Sequence, residues 1–493
     1  MIEKNAMERE RENGGDVLRV RREKLKALRA EGLDPYGQNW DQSHTAGEAR
    51  RLLGDGEECD ETVSLAGRIL AFRLMGRAAF LSLQDRSGTI QCYVRREAIG
   101  DSDYDRFRDY DIGDIVGVAG TLFRTKTGEP TVRVARMQIV AKSLRPLPDK
   151  FHGLTDEEQI YRERHLDLIA NGESRRRALQ RIAIVREIRQ FLWARDFVEV
   201  ETPFLQNVAG GAAARPFTTR MNALDQEFFL RISLELYLKR MLVAGFDRVF
   251  ELGRVFRNEG LSRKHNPEFT MVELYQAYSD HRGMMALIRD LILHLCDRVI
   301  GTRDIAQPDG TVLHLGGEWR EANYRDLVRE HTGIEAWFEL PREEKLAYCG
   351  RAGLALDPEK EDFAIDNAVY GKLVEPNLIQ PTFVLQLPRE LCPLAKLNRQ
   401  DPRFLDVFEL CINGQEVAPA YSEQNDPLLQ RQLFEMQLGD DQQALDTEFL
   451  TALEYAMPPA GGMGIGVDRL VVLLTGAGNI RDTILYPTLR PIG

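Results

Sequence analysis

Residues 248–279 read RVFELGRVFRNEGLSRKHNPEFTMVELYQAYS, and the rest of the chain is organised around that stretch. Two runs of alternating apolar residues, 248–256 and 268–278, flank a loop dense in glycine, asparagine and charge. Strands separated by a turn-rich loop predict an antiparallel hairpin, here with a long connection. Arg254, Arg257, Arg263, Lys264 and His265 crowd positive charge into the loop, and Glu259, Glu268 and Glu273 set carboxylates beside it. Such a hairpin suits a polyanion such as a nucleoside triphosphate. A solvated basic loop fits the same residues equally well.

A chain of 493 residues is too long for one core, and roughly two to four domains are expected. Its 43% apolar and 29% charged residues describe a soluble globular protein. No apolar run approaches the about 18 residues of a membrane span, and the polar start MIEKNAMEREREN is unlike a secretory signal. The six cysteines include no CxxC pair. That excludes a zinc ribbon and a disulfide framework and points to a reducing cytoplasm. A net charge of −12 gives no general pull toward nucleic acid, so no DNA or membrane partner is expected and any RNA contact must be local.

Residues 16–31 predict a helix with Leu18, Leu25 and Leu28 on one face and Arg19, Arg21, Arg22, Lys24, Lys26 and Arg29 around the rest. It is either a solvated helix packed on a neighbour or a phosphate contact. Between 63 and 142 come five short alternating segments punctuated by glycine, the pattern of a small Greek-key barrel of the OB type. Phe80 and Gln91 fall on strands that would form one face. Exposed aromatics on such a face stack bases, although a lone Phe on a strand is more often core. SLRPLPD at 143–149 reads as a linker. Helical patterns follow at 156–169 and 181–195, the second with Ile184, Val185, Ile188, Phe191 and Leu192 on one stripe. It runs into FVEVETPFL, a strand ended by Pro203.

VAGGAAARPF at 208–217 leaves backbone open to close approach at Gly210 and Gly211. A helix is expected at 235–243, opening on Glu235. Strands return in TFVLQL, VFELCING and QEVAPAYSE, where Glu409, Glu416 and Glu423 alternate with apolar residues. Asn413-Gly414 is a hairpin turn signal that would set Glu409 opposite Glu416. Two facing carboxylates imply a divalent cation between them, unless both are simply exposed. The chain closes with PPAGGMGIGVDRLVVLL, a glycine-rich strand leading into a helix that carries Arg469.

Together these strings resemble the class II aminoacyl-tRNA synthetases, most closely the bacterial-type lysyl enzymes of class IIb, over residues 33–491. FVEVETPFL resembles motif 1, which builds the dimer; FELGRVFRNEG with HNPEFT resembles motif 2; GGMGIGVDRL resembles motif 3. GGAAARPF, ELYLKR, SLRPLPDKFHGL, PLAK at 393–396 and YSEQNDP at 421–427 are similar to the lysine enzymes rather than their aspartate and asparagine relatives. The resemblance implies an α+β chain: an N-terminal OB-fold barrel, then a class II synthetase antiparallel β-sheet catalytic domain flanked by helices. Its divisions would be a basic helical segment (1–60), an anticodon-binding barrel (61–142), a linker (143–178) and the catalytic domain (179–493).

By the same resemblance, Arg257 would hold the α-phosphate of ATP and the amino-acid carboxylate, with Lys264 and His265 on the outer phosphates. Glu259 and Asn266 would contact adenine, stacked between Phe269 and Arg469. Glu409 and Glu416 would hold Mg²⁺, and Gly211, Glu235, Glu273, Tyr275, Tyr421 and Glu423 would form the amino-acid pocket. Phe80 and Gln91 would read the anticodon. The expected activity is ligation of L-lysine to tRNA(Lys) by a cytoplasmic homodimer, through a lysyl-adenylate.

Elementary chemistry agrees. Joining a carboxylate to a phosphate brings two anions together, so cations must neutralise them. No side-chain nucleophile is required, and no Ser-His-Asp or Cys-His pattern is present. A lysine ammonium in a closed pocket needs carboxylates and an aromatic wall. The chain departs from the pattern at Pro419 (usually Asn), Leu234 (often Pro), Lys264 (usually Arg) and Cys392 (usually Ser), and 424–447 is somewhat short. Pro419 leaves open a lysine analogue as substrate. A non-catalytic tRNA-binding paralogue is the remaining alternative, against which Arg257, Glu409, Glu416 and Arg469 stand.

Overall fold

Strands that bury every second side chain build the first of two compact units, Met1–Thr155. The structure, a computed structural model, describes residues 2–37, 39–148, 154–357, 361–437 and 445–491. Helices α1 (Ile2–Ala30) and α2 (Ala46–Leu53) open this unit, and a Thr45–Glu48 capping box fixes the start of α2. Val63, Leu65 and Ile69 on β1 (Glu58–Met75), Leu81 and Leu83 on β2 (Ala78–Asp85), and Ile90 and Val94 on β3 (Gly88–Arg95) turn inward. Helix α3 (Asp101–Arg108) adds Tyr104 and Phe107 before β4 (Ile115–Arg124) and β5 (Pro130–Ala141). A sheet with one apolar face loses its edges by closing on itself. The order is β1-β2-β3-β5-β4, with β1 pairing β4 to complete the barrel. Gly120 lies where β4 shifts register against β5; a Cβ there would sit 1.9 Å from the Arg133 carbonyl oxygen.

Helix α1 begins well before residue 16, and two of its cations are not at the surface. Arg21 is buried and donates to the carbonyls of Ser143, Arg145 and Ile112, and Lys24 bonds Asp111 at 2.8 Å. Arg19, Arg22, Lys26 and Arg29 stay exposed.

The second unit, Asp156–Gly493, starts inside the stretch expected as linker. Glu157–Arg162, Arg164–Ala170 and the first turns of α4 (Gly172–Trp193) are all helical. The Asn171 side chain accepts from the amides of Glu173 and Ser174, so α4 starts there rather than at 181. Its polar first turns, GESRRR, hide the helical period. Residues 149–153 of the proline-bearing string, and 438–444 of the short segment after Gln424, lie outside the described residues.

The unit is built on an eight-stranded sheet. In chain order its strands are β6 (Val198–Glu199), β7 (Arg248–Phe256), β8 (Glu268–Ala277), β9 (Arg320–Asn323), β10 (Thr382–Leu385), β11 (Val407–Cys411), β12 (Glu416–Ser422) and β13 (Ala460–Gly466). In space they run β9-β10-β11-β12-β13-β8-β7-β6. The pairs from β10 through β7 are antiparallel, whereas both edge strands, β9 and β6, pair parallel. Alternation then divides the faces. Val272 and Leu274 of β8 pack with Ile188 and Phe191 of α4 and with Ile288 and Leu291 of the helix His281–Leu295. Glu273 and Tyr275 point the other way, toward α5 (Glu235–Val243). Glu273 faces Glu251 across β7, whose carboxylate Arg231 engages at 2.5 Å.

Candidate active site

The 248–279 stretch is an antiparallel hairpin in the register Val249↔Tyr275, Glu251↔Glu273, Phe256↔Glu268. A cleft opens over its end, lined among others by Arg257, Glu259, Lys264, His265, Asn266 and Phe269. Arg469, on the first turn of helix α6 (Val467–Thr475), closes the opposite wall together with Glu416, Pro419, Gly464 and Gly466. The cleft is therefore lined by every nucleotide-side residue singled out in the sequence except Glu409.

Local bonds set their poses. The Arg257 guanidinium lies 5.3 Å from the centre of the Phe269 ring, and its Nε donates to the Ile232 carbonyl at 3.4 Å. Arg469 donates to the Glu416 carbonyl at 3.0 Å and lies 3.3 Å from His265 Nε2; Ser262 Oγ is 2.9 Å from His265 Nδ1. Partial burial, then Arg469, lower the His265 pKa. Asn266 is clamped between the Glu268 carbonyl and the Thr488 amide. Lys264 is exposed at the rim.

The two carboxylates of the β11–β12 hairpin are close but not opposite. The Asn413-Gly414 turn pairs Ile412 with Gln415 and so sets Glu416 opposite Cys411, and a register shift between Leu410 and Cys411 leaves Glu409 opposite Pro419. Burial pushes the Glu409 carboxyl well above the usual range, with Glu416 and then Glu375 adding to the rise. Glu375 is the member the sequence did not mark: its carboxylate accepts the Glu416 amide at 3.2 Å. Nothing in the pattern links residues so far apart. Among the described residues, no group of three or more His, Cys, Asp or Glu side chains forms a closed metal site. The set is an open one of hard oxygen donors whose mutual repulsion a divalent cation relieves, which fits Mg²⁺ shared with phosphate.

Beyond the cleft, the second strand of the hairpin reaches a buried acidic pocket. Glu235, Glu273 and Glu423 are 6%, 3% and 0% exposed. Glu273 accepts from Ser233 Oγ and the Leu234 amide, each at 3.0 Å, and from Tyr275 OH at 3.2 Å. Burial, then Glu235, push its pKa up to about 7 against those bonds. Glu423 Oε2 is paired with the Lys239 ammonium, and Oε1 has no hydrogen-bond partner. Tyr275 and Tyr421 both pair with Gly462. A Cβ on Gly462 would lie 2.1 Å from Glu423 Oε1 and 2.4 Å from the Tyr275 ring. Gly211 has φ +83°, and a Cβ there would meet Ser233 at 3.0 Å. All six residues expected for the amino-acid pocket are thus among those that converge here. Ser233 and Lys239 were not singled out; the signal for Lys239 was a lone cation inside an apolar helical stripe.

In the barrel, Phe80 and Gln91 share the outer face, as alternation requires. Phe80 stacks on Tyr93 with ring centroids 4.8 Å apart, Tyr93 meets Phe123 edge-on, and Arg133 lies 4.8 Å over Phe123. Gln91 Oε1 accepts from Thr131 Oγ1 at 2.9 Å, which leaves its amide nitrogen to donate outward. The face is thus a half-exposed aromatic strip with a cation, wider than the two residues read from sequence.

Among the described residues no helix is long and apolar enough to cross a membrane. Comparison with known proteins adds two family matches. One family, described as tRNA synthetases class II (D, K and N), matches residues 156–490. Another, described as OB-fold nucleic acid binding domain, matches residues 63–147. Curated relatives named lysine–tRNA ligase from Bacillus cytotoxicus, Bacillus cereus and Shouchella clausii are each 46% identical to the chain over 486 residues, covering 96% of it and 97% of the relative.

Proposed function

The chain belongs to the class II tRNA synthetases of the aspartate, lysine and asparagine group, and we propose that it is a lysine–tRNA ligase. It activates L-lysine with ATP to lysyl-adenylate, releasing pyrophosphate, and transfers lysine to the 3′ end of tRNA(Lys). The observation that carries the choice of lysine is the buried acidic pocket, above all Glu423 Oε1, which has no hydrogen-bond partner while Oε2 is taken up by Lys239. A buried carboxylate oxygen without a donor is costly, and a substrate ammonium satisfies it. A pocket for aspartate would present cations instead. A site built around such groups rejects substrates that leave them unpaired, which favours discrimination without editing.

The cleft supports the following assignment. Arg257 holds the α-phosphate and the lysine carboxylate against each other, neutralising both. Phe269 and Arg469 take the two faces of adenine, with Asn266 and Glu259 on its edge. Lys264 and His265 meet the outer phosphates. Glu409 and Glu416 would hold Mg²⁺, which when bound screens the triphosphate charge and favours departure of pyrophosphate. No side-chain nucleophile is needed, because alignment of carboxylate and phosphorus supplies most of the rate. In the barrel, Phe80 and Gln91 read the anticodon by stacking and hydrogen bonding. Leu179, Ile182, Val198, Phe204 and Leu205 are 45–57% exposed on and after α4, and this apolar surface supports a homodimer. We place the enzyme in the cytoplasm. Transfer of labelled lysine to tRNA(Lys) tests the reading; a chain that binds the tRNA but never acylates it is a non-catalytic paralogue instead.

A further inference from the structure

Lys239 lies one turn from Glu235 on α5, so the two side chains leave the helix on one face. It is 0% exposed. Its Nζ is 2.6 Å from Glu235 Oε1, forms an ion pair with Glu423 and donates to the Leu394 carbonyl at 3.2 Å. An ammonium has three protons, so these partners use it fully. They tie the helix to the end of the sheet and to the PLAK segment. The buried charges around the amino-acid pocket are then three carboxylates, Glu235, Glu273 and Glu423, and one cation. The other ionisable groups facing them are Arg257 and the Arg231–Glu251 ion pair beside Glu273, together with Tyr275, Tyr421, Cys392 and the half-buried Lys396.

We infer that Lys239 is a specificity-positioning residue: a resident ammonium that ties Glu235 to Glu423 and leaves the pocket two negative charges, the complement of a substrate with two ammonium groups. This rests on the lysine reading above, in which Arg257 meets the substrate carboxylate. Without Lys239, three buried carboxylates would repel one another, and one would take up a proton. A protonated carboxyl cannot accept an ammonium as an anion does, so the pocket would lose its grip on lysine while the nucleotide cleft stayed intact. Lys239 opposes the upward push of burial on the Glu423 carboxyl, and the Glu423 oxygen left over is held toward the substrate. The burial of Lys239 is also what keeps it from being merely a strut: it occupies carboxylates that the substrate itself must reach.

The test is lysine-dependent pyrophosphate exchange by the full chain and two variants, Lys239→Gln and Lys239→Arg, across pH 5.5 to 9. Thermal melting without substrate reports whether each variant folds. For Lys239→Gln the expected result is a KM for lysine raised about tenfold at pH 7, KM for ATP within about twofold, and the acid limb of kcat/KM moved up by about one pH unit. Lys239→Arg keeps the limb in place. A Lys239→Gln variant whose limb does not move, or whose two KM values rise together, overturns the inference and leaves Lys239 a fold strut. If Lys239→Gln does not fold, Lys239→Arg decides: a limb in place supports the inference and a limb displaced by a unit overturns it. Failure of the lysine reading looks different, because the unaltered chain would then show no lysine-dependent exchange at all.

Discussion

In the proposed lysine pocket, Glu273 is the residue whose charge would decide whether an ammonium is held. Its pKa of about 7 is raised first by burial and then by Glu235, and lowered only in part by Leu234, Ser233 and Tyr275. Its ionised fraction therefore grows as pH rises through about 7, and kcat/KM for lysine should climb over the same range in a pH–rate profile. For stability the sign is opposite. The folded pKa exceeds the unfolded value of about 4.3, so the group favours the folded state at low pH and loses that contribution as pH rises toward 7. Glu273→Gln should accordingly gain melting temperature over the unaltered chain between pH 5 and 8, while losing lysine activation by about a hundredfold or more. Gly462→Ala makes a separate prediction: its Cβ would displace Glu423 and Tyr275. KM for lysine should rise at least about tenfold, with ATP binding little changed. Glu273, Tyr275 and Glu423 were named for the pocket by the family resemblance, and strand alternation by itself had marked only Glu423 among them. Ser233, Lys239 and Glu375 were marked by neither, because their significance lies in contacts between distant elements that no local period records.

At the scale of elements, two hairpins build the site. The β7–β8 hairpin places Arg257 at its end and Glu273 midway, so in the proposed reading one element would serve both nucleotide and amino acid. Its strands were plain in the sequence, and so was the Asn413-Gly414 turn of β11–β12. The register of the second hairpin was not: a two-residue turn at 413–414 sets Cys411, not Glu409, against Glu416, and the bulge beside it leaves no compositional mark. If Glu409 and Glu416 hold Mg²⁺ as proposed, loss of a carboxylate there should weaken that grip: Glu416→Gln is expected to raise the Mg²⁺ concentration for half-maximal exchange about tenfold or more. In the barrel, Phe80→Ala removes the outer ring of the Phe80–Tyr93–Phe123 strip. Stacking is worth about 1–3 kcal/mol per base, so KM for tRNA should rise roughly tenfold or more while lysyl-adenylate formation is unchanged. Equal losses in both steps would refute the anticodon role.

At the scale of the molecule, the sequence exposed two kinds of architecture: period-two segments closing into a barrel, and a longer alternation of helices and strands building one large sheet. The division between them was less legible. The helical pattern at 156–169 was legible, but the polar first turns of α4 concealed its start at 172, and the structure gives both to the second unit. The apolar residues left exposed on and after α4 predict a particle of two 56.2 kDa chains in light scattering. Ile182→Glu should shift it toward the monomer by burying a charge in the interface. Barrel, sheet and interface all serve one claim, that a pocket of buried carboxylates selects lysine for ligation to tRNA. The measurement that tests it most directly is amino-acid-dependent exchange of pyrophosphate into ATP, run with lysine, ornithine, aspartate and asparagine. The account predicts strong exchange with lysine and little with the others. Exchange with aspartate or asparagine and none with lysine would contradict it.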